Sequence, residues 1–130
     1  MIVPDASIML EVILRTPAGI RALDLILPEE ESLHAPHLLD LEVLQVLRRY
    51  RRTGVIEERR AAEALEDLSS FSIQRYGHDL LLGRIWDLRH NLTAYDACYV
   101  ALAEALGATL LTRDRALAGS DGHRARIRLL

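Results

Sequence analysis

The sequence contains no lysine, so all sixteen of its basic residues are arginine. A Walker-type phosphate-binding loop requires a lysine, and so does Schiff-base catalysis. The absence of lysine therefore excludes both kinds of chemistry.

Cysteine is nearly as scarce, since Cys98 is the only one. A single cysteine can form neither an internal disulfide nor a cysteine-based zinc site. No apolar run approaches the roughly 20 residues that a transmembrane helix needs. The first residues, MIVPDAS, also lack the basic head and the long apolar stretch of a signal peptide. We therefore expect a protein of the cytoplasm.

The bulk composition is that of a globular protein. Half of the 130 residues are hydrophobic and 27% are charged, which excludes a disordered chain. A chain of this length is long enough to bury a core and suits a single domain, which we expect to cover residues 1–130.

Segments with strand character alternate with segments of helical periodicity. Short apolar stretches predict strands at 1–4, 32–35, 71–75 and 108–112, and a further edge strand in the tail. Apolar residues at helical spacing predict helices at 6–14, 17–27, 38–52, 56–68, 78–89 and 93–106. This alternation predicts an α/β domain with a mostly parallel sheet, in which ligands bind beyond the carboxyl ends of the strands.

Four acidic residues stand where that edge of the sheet is expected. Asp5 and Asp114 directly follow predicted strands, whereas Glu42 and Asp96 lie in the first turns of predicted helices. Each acid has an ordinary structural interpretation. Asp5 could be a helix N-cap, Asp114 could open a turn, and Glu42 could interact with the helix dipole. Asp96 could complete a capping box with Thr93.

Those separate interpretations do not explain why four acids converge on one edge. Gathered carboxylates repel one another, which raises some of their pKa values, and a divalent cation removes that cost. Carboxylate oxygens without cysteine or paired histidine suit magnesium or manganese better than zinc. The sequence therefore predicts a Mg²⁺ site, with Mn²⁺ as the other candidate ion.

Three segments, in this order, resemble the PIN domain, and within it the VapC-like ribonuclease toxins of bacterial type II toxin–antitoxin systems. They read MIVPDAS, LLDLEVLQVLRR and LTAYDACYVALAEALGATLLTRD, and together they span nearly the whole chain. The resemblance implies a three-layer α/β/α fold with a short, mostly parallel central sheet. Its acidic set falls on the four residues named above, which are Asp5, Glu42, Asp96 and Asp114. It also implies that the hydroxyls of Ser7 and Thr112 support the metal site.

The resemblance implies metal-dependent hydrolysis of RNA phosphodiester bonds, leaving 5′-phosphate and 3′-hydroxyl ends. Asp5 and Asp96 are then the first expected metal ligands, followed by Asp114. Glu42 either ligates a second ion or positions the attacking water. The resemblance further implies a cognate VapB-like antitoxin that blocks the acidic cleft, a homodimer, and a higher toxin–antitoxin assembly. Asp40 falls outside the pattern and is expected to be structural.

The net charge of −3 is unusual for a protein that binds RNA. If the four predicted site acids are set aside, however, the remaining charge is +1. Arg49 follows Glu42 by seven residues and so shares its helical face, and Arg113 and Arg115 flank Asp114. Because guanidinium groups match phosphates well, we expect these three arginines to contact RNA.

Other classes of protein also place acids at strand ends. A receiver-like signalling domain depends on a lysine, which is absent here, and on paired acids after the first strand. A haloacid-dehalogenase-like phosphatase expects a second aspartate at the position of Ser7. A catalytically silent PIN-fold module that binds only protein would show an eroded acidic set, whereas the set here is complete. Loss of RNA cleavage on chelation would separate the nuclease from the silent module.

Overall fold

The computed structural model describes residues 1–130 and has three layers, with a central sheet between helices. The sheet contains five strands: β1 (Ile2–Pro4), β2 (Leu33–Pro36), β3 (Ile73–Tyr76), β4 (Thr109–Thr112) and β5 (Arg126–Leu129). The helices are α1 (Ala6–Ile13), α2 (Pro17–Ile26), α3 (Leu38–Arg52), α4 (Glu58–Ser70), α5 (Leu82–Asp87), α6 (Ala94–Leu106) and α7 (Arg115–Ala118). None of these helices combines the length and the apolar character needed to cross a membrane.

The strand order determines where a ligand can bind. The order is β3-β2-β1-β4-β5, and every neighbouring pair is parallel. The chain builds outward from β1 to β2 and β3, and then returns to the other side of β1 with β4 and β5. The strand order therefore reverses between β1 and β4, and the crevice beyond their carboxyl ends is the expected ligand position.

Side-chain caps fix the start of the helices that follow this edge. Asp5 caps α1 by accepting a hydrogen bond from the Ile8 N–H, and Thr93 caps α6 by accepting one from the N–H of Asp96. Gly107 ends α6 in the left-handed conformation, with φ of 63°, which glycine adopts without strain. The caps formed by Asp5 and Thr93 hold the first turns of α1 and α6 at the edge where the candidate site lies.

The hydrophobic core joins the sheet to its flanking helices in one cluster of 26 buried residues. Helix α6 contributes most, because the seven consecutive residues from Ala97 to Ala103 are all buried. A helix that is apolar on all sides belongs in the interior, and α6 packs on β1, β2 and β4 as well as on α5. Asp96 therefore lies in the first turn of a helix that is held firmly in the core.

The predicted α/β fold class is confirmed, and the sheet is wholly parallel. Helix α4 begins at Glu58 rather than at Ile56. The predicted helix over 78–89 is instead a 3₁₀ turn, the short α5 and a second 3₁₀ turn. Leu80, Leu82 and Trp86 are all exposed in this segment, so it lacks the buried face that stabilises a long helix.

Candidate active site

Asp5 lies directly after β1 at the centre of the sheet edge and is buried. Its Oδ1 accepts hydrogen bonds from the Ser7 hydroxyl at 2.5 Å and from the Ile8 N–H at 3.0 Å. Its Oδ2 accepts one from the Thr112 hydroxyl at 2.5 Å. Both oxygens are therefore fixed by neutral donors.

The same two hydroxyls bind the loop after β4. The Ser7 oxygen accepts the Arg113 N–H at 2.9 Å, and the Thr112 oxygen accepts the Asp114 N–H at 2.9 Å. The Asp114 carboxylate in turn caps α7 by accepting from two backbone N–H groups, those of Ala116 and Leu117. The turns after β1 and β4 thus form one hydrogen-bonded unit that carries Asp5 and Asp114.

Glu42 reaches the site from α3 and is half-buried. Its Oε2 accepts a hydrogen bond from the Tyr99 hydroxyl at 2.6 Å. Tyr99 belongs to α6 and is only 2% exposed. The bond joins two helices whose residues are 57 positions apart in the sequence.

Asp96 enters from the first turn of α6. Its Oδ2 accepts the Thr93 hydroxyl at 3.1 Å, while the Thr93 oxygen accepts the Asp96 N–H at 3.2 Å. The capping box predicted for this pair is therefore only half formed, because the carboxylate binds the hydroxyl of Thr93 rather than its backbone N–H. A half-formed box leaves the other Asp96 oxygen without a protein donor.

The pKa values show that these acids share one electrostatic environment. Burial raises the pKa of Asp5, Glu42 and Asp96 above their ordinary values, even though hydrogen-bond donors act in the opposite direction. The charges of Asp5 and Asp96 raise the pKa of Glu42 further, and the charge of Asp114 does the same for Asp96. Three pairs of carboxylates are therefore coupled through their charges: Glu42 with Asp5, Glu42 with Asp96, and Asp96 with Asp114.

The acids of this site differ from the other shielded acids of the protein because they have no arginine partner. Eight acidic side chains are wholly or partly shielded from solvent. Five of them form an ion pair with an arginine: Glu11, Asp40, Glu63, Asp67 and Glu104. The three without one are Asp5, Glu42 and Asp96. Shielded acids are normally paired. In this protein the shielded acids that lack an arginine partner are confined to this edge of the sheet, so negative charge remains uncompensated there.

The donor set fits a hard divalent cation. It consists of carboxylate and hydroxyl oxygens with no histidine or thiolate, which favours Mg²⁺ or Mn²⁺. In this structure no three acidic, histidine or cysteine side chains are close enough together to hold an ion. The fit therefore lies in the type of donor and in the uncompensated charge, not in a preformed ligand sphere.

Comparison with known proteins assigns the chain to a family. The family model for the PIN domain matches residues 2–121. The chain belongs to the PIN domain family. The PIN chain is 42% identical to Ribonuclease VapC1 of Mycobacterium tuberculosis over 129 residues, which cover 98% of this chain and 96% of that relative. It is 44% identical to Ribonuclease VapC9 of the same species over 117 residues, covering 88% and 86%.

A solved structure supports the same assignment. The crystal structure of PAE2754 from Pyrobaculum aerophilum superposes with a TM-score of 0.70 at 27% identity, and the match covers 97% of this chain and 81% of that one. That likeness supports the fold, and the VapC ribonucleases named above place this protein in the VapC branch of the PIN family.

The three arginines predicted to contact RNA are spread around the PIN site. Arg49 is exposed on α3, about 10 Å along the helix from Glu42, and its guanidinium lies 5.7 Å from the centre of the Tyr50 ring. Arg113 is paired with Glu11 at 2.5 Å. Arg115 is exposed and its side chain has no partner. Arg49 and Arg115 are thus available to a phosphate, whereas Arg113 must first leave Glu11.

Sequence reasoning missed the contact between Tyr99 and Glu42. A tyrosine among small apolar residues of a buried helix is typical of a core residue, and the ring is indeed buried. The available signal was spacing, because Tyr99 follows Asp96 by three residues and so lies on nearly the same face of α6. The partner of its hydroxyl on α3 was not predictable from spacing alone.

Proposed function

We propose that this PIN protein is a divalent-metal-dependent endoribonuclease that hydrolyses RNA phosphodiester bonds and acts as the toxin of a toxin–antitoxin pair. The observation that carries the proposal is the group of shielded carboxylates without arginine partners at the carboxyl edge of the sheet. The relatives named above are ribonucleases of the VapC type. That agreement supports cleavage of RNA over other reactions at phosphate.

In this proposal Asp5 and Asp96 are the first ligands of Mg²⁺ or Mn²⁺, with Asp114 beside them. A bound ion lowers the pKa of a coordinated water and stabilises charge on the phosphate oxygens. Glu42 either binds a second ion or accepts a hydrogen bond from the attacking water. The products carry a 5′-phosphate and a 3′-hydroxyl.

The remaining residues of the site orient these acids without neutralising them. The hydroxyls of Ser7 and Thr112 hold both oxygens of Asp5, so its orientation is set before any ion arrives. A guanidinium in their place would fix the carboxylate equally well but would compete with the cation for its charge. Ser7 and Thr112 are therefore supporting residues of the metal site.

Arg49 and Arg115 are the proposed phosphate contacts of the RNA. Both side chains are exposed and neither is in an ion pair, and guanidinium groups bind phosphate oxygens in a bidentate manner. Arg113 joins them if an RNA phosphate replaces Glu11 as its partner. These contacts hold the strand in position and carry little sequence information.

We also propose a VapB-like antitoxin as the partner that covers the site. A groove of about 580 Å³ opens beside Glu42 and Ser7, and its apolar lining includes Leu10, Leu41 and Tyr95. Leu41 and Tyr95 are 67% and 62% exposed. A peptide with apolar side chains and one arginine would cover this lining and place a positive charge among the carboxylates.

A second apolar surface supports self-association. Leu80, Leu82 and Trp86 are 92%, 57% and 67% exposed, which is unusual for neighbouring large apolar residues. We propose that this surface contributes to a homodimer, which assembles further with antitoxin in the cytoplasm. The whole chain, residues 1–130, acts in this assembly as one nuclease domain.

The test combines chelation with mapping of RNA ends. RNA cleavage by the purified protein should stop in EDTA and return with Mg²⁺ or Mn²⁺. Sequencing of 5′ ends from cells should show new 5′-phosphate ends with the wild type and not with Asp96→Asn. Asp24→Asn, at an exposed acid of α2, is the matched control and should cleave normally. Tight antitoxin binding without metal-dependent cleavage would instead identify a silent binding module.

A further inference from the structure

The two acids of α3 are held by different kinds of donor. Asp40 receives two hydrogen bonds from the Arg75 guanidinium, at 2.7 and 2.8 Å, which compensate its charge. Glu42 has no arginine partner and is held by the Tyr99 hydroxyl at 2.6 Å. A neutral donor fixes the orientation of a carboxylate and leaves its negative charge in place.

Tyr99 is itself held firmly in the core. It is 2% exposed and belongs to the main hydrophobic cluster. A tyrosine side chain has only two rotatable bonds before its ring, so packing of the ring determines where the hydroxyl points. Because Tyr99 lies one turn after Asp96 on α6, its bond to Glu42 sets α3 in register with the helix that carries Asp96.

Only one oxygen of Glu42 is engaged in this way. Oε2 accepts the Tyr99 hydroxyl, whereas Oε1 accepts no hydrogen bond from the protein. We infer that Tyr99 is a positioning residue of the nuclease site, which holds Oε2 of Glu42 so that Oε1 remains free to bind an ion; of the two roles proposed for Glu42, the inference takes that of ion ligand. This inference rests on the proposed function, because it assigns Tyr99 a part in the same metal-dependent cleavage.

The principal test is Tyr99→Phe, which removes the hydroxyl and keeps the ring. Mn²⁺ affinity is measured by calorimetry without RNA, and RNA cleavage is measured separately as kcat and KM. Loss of a group that orients a metal ligand weakens metal affinity or activity by about 10- to 100-fold. We expect a loss of that size in Mn²⁺ affinity and in kcat, with KM for RNA nearly unchanged.

Tyr76→Phe is the matched control. Its hydroxyl also bonds a side chain, Nδ1 of His34 at 2.8 Å, but it lies outside the acidic site. This variant should bind Mn²⁺ and cleave RNA as the wild type does. If Tyr99→Phe lowers only the melting temperature and keeps both Mn²⁺ affinity and kcat, Tyr99 is structural and the inference is wrong.

A double-mutant cycle tests whether Tyr99 acts through Glu42. In a Glu42→Gln background, Tyr99→Phe should cause no further loss of Mn²⁺ affinity, because the carboxylate that it positions is gone. The same fractional loss in both backgrounds would overturn the inference.

Glu42→Asp provides an independent measurement that does not require Tyr99→Phe to fold. The shorter side chain keeps the charge but withdraws the carboxylate from the Tyr99 hydroxyl. The inference expects Mn²⁺ affinity to fall about 10- to 100-fold, whereas wild-type affinity would show that charge alone suffices. A wild type that neither binds Mn²⁺ nor cleaves RNA would overturn the proposed function itself, whereas an active wild type matched by Tyr99→Phe would overturn only the role of Tyr99.

Discussion

The two ends of α6 use the same chemical group in opposite ways. At the amino end, Asp96 is half-buried and held only by the Thr93 hydroxyl, and burial together with the Asp114 charge raises its pKa. At the carboxyl end, Glu104 accepts two hydrogen bonds from Arg84, at 2.8 and 2.9 Å, and one from the Arg124 N–H. The Arg84 guanidinium lowers the pKa of Glu104 to about 2.

This contrast shows how the fold separates stability from chemistry. Glu104 is neutralised and joins α5, α6 and the segment before β5, so its charge is used within the protein. The charge of Asp96 is not compensated by any side chain of the protein, so it can interact with a bound cation. The energetic cost of Asp96 is tolerable because interactions such as those of Glu104 stabilise the same helix from its other end.

The largest expected effect is that of removing the charge at the amino end. Asp96→Asn should reduce RNA cleavage to background, because it removes a proposed metal ligand. Its melting temperature in EDTA should hold or rise, since the change also relieves carboxylate repulsion. Cleavage assays and thermal unfolding in EDTA check the two parts separately. Full toxicity of a soluble Asp96→Asn protein would contradict the assignment of Asp96 to the site.

Removing the charge at the carboxyl end should have the opposite profile. Glu104→Gln leaves Arg84 without its ionic partner and should lower the free energy of unfolding by about 1–3 kcal/mol, a range that allows for the partial exposure of the pair. RNA cleavage per folded molecule should be unchanged. Urea unfolding and specific activity measured on the same preparation make this check. If Glu104→Gln lost activity without losing stability, the carboxyl end of α6 would not have the purely structural role that the comparison gives it.

The pH dependence of stability should separate the two ends next. The folded pKa of Glu104 lies below its ordinary value of 4.5, so its contribution is complete above that pH and is lost as the pH falls towards about 2. Asp96 has a raised folded pKa, so without metal it costs stability at neutral pH, and that cost disappears as the pH falls through the folded pKa.

The free energy of unfolding in EDTA should therefore rise as the pH falls through the raised folded pKa of Asp96, and should fall as Glu104 is protonated between about pH 4.5 and about pH 2. Urea unfolding across this range should show a smaller rise for Asp96→Asn and a smaller fall for Glu104→Gln. If both variants keep the wild-type profile, other groups control the pH dependence.

The smallest expected effect concerns the arginines around the site. Arg49→Ala and Arg115→Ala should each weaken RNA binding and flatten the dependence of log affinity on log salt by about 0.7 per lost phosphate contact. Glu42→Gln should leave that slope unchanged, because the carboxylate makes no phosphate contact. Salt titrations with Ca²⁺ as the only divalent cation measure the slopes without cleavage. An unchanged slope for Arg49→Ala would restrict the RNA path to the α7 side of the site.

Much of the fold was predictable because its signals are local. Helical periodicity located α3 and α6. Asp5 and Asp114 directly follow predicted strands, and the rule that ligands bind beyond the carboxyl ends of parallel strands then indicated them as site residues. The broken segment over 78–89 was not predictable, since Leu82 and Trp86 have the i, i+4 spacing of a buried helical face although both are exposed. Periodicity indicates which residues share a face but not whether that face is covered.

The candidate site was predictable in its acids and not in their partners. The sequence indicated all four carboxylates, because each directly follows a predicted strand or lies in the first turn of a predicted helix. Their roles as metal ligands stay predictions. The pairing of Arg113 with Glu11 and of Tyr99 with Glu42 depends on how segments distant in sequence pack against each other. Such contacts are set by tertiary structure, which no short motif encodes.

The hydrogen bond between Asp5 and Thr112 spans 107 positions of the chain. Chains are synthesised from the amino end at about 5–20 residues per second, so Thr112 is added about 5 to 20 seconds after Asp5. During that interval β1 has no β4 beside it, and the acidic site does not yet exist. Assembly of the site therefore depends on one of the last segments of the chain to be made, although the first acid of the site is among the first residues.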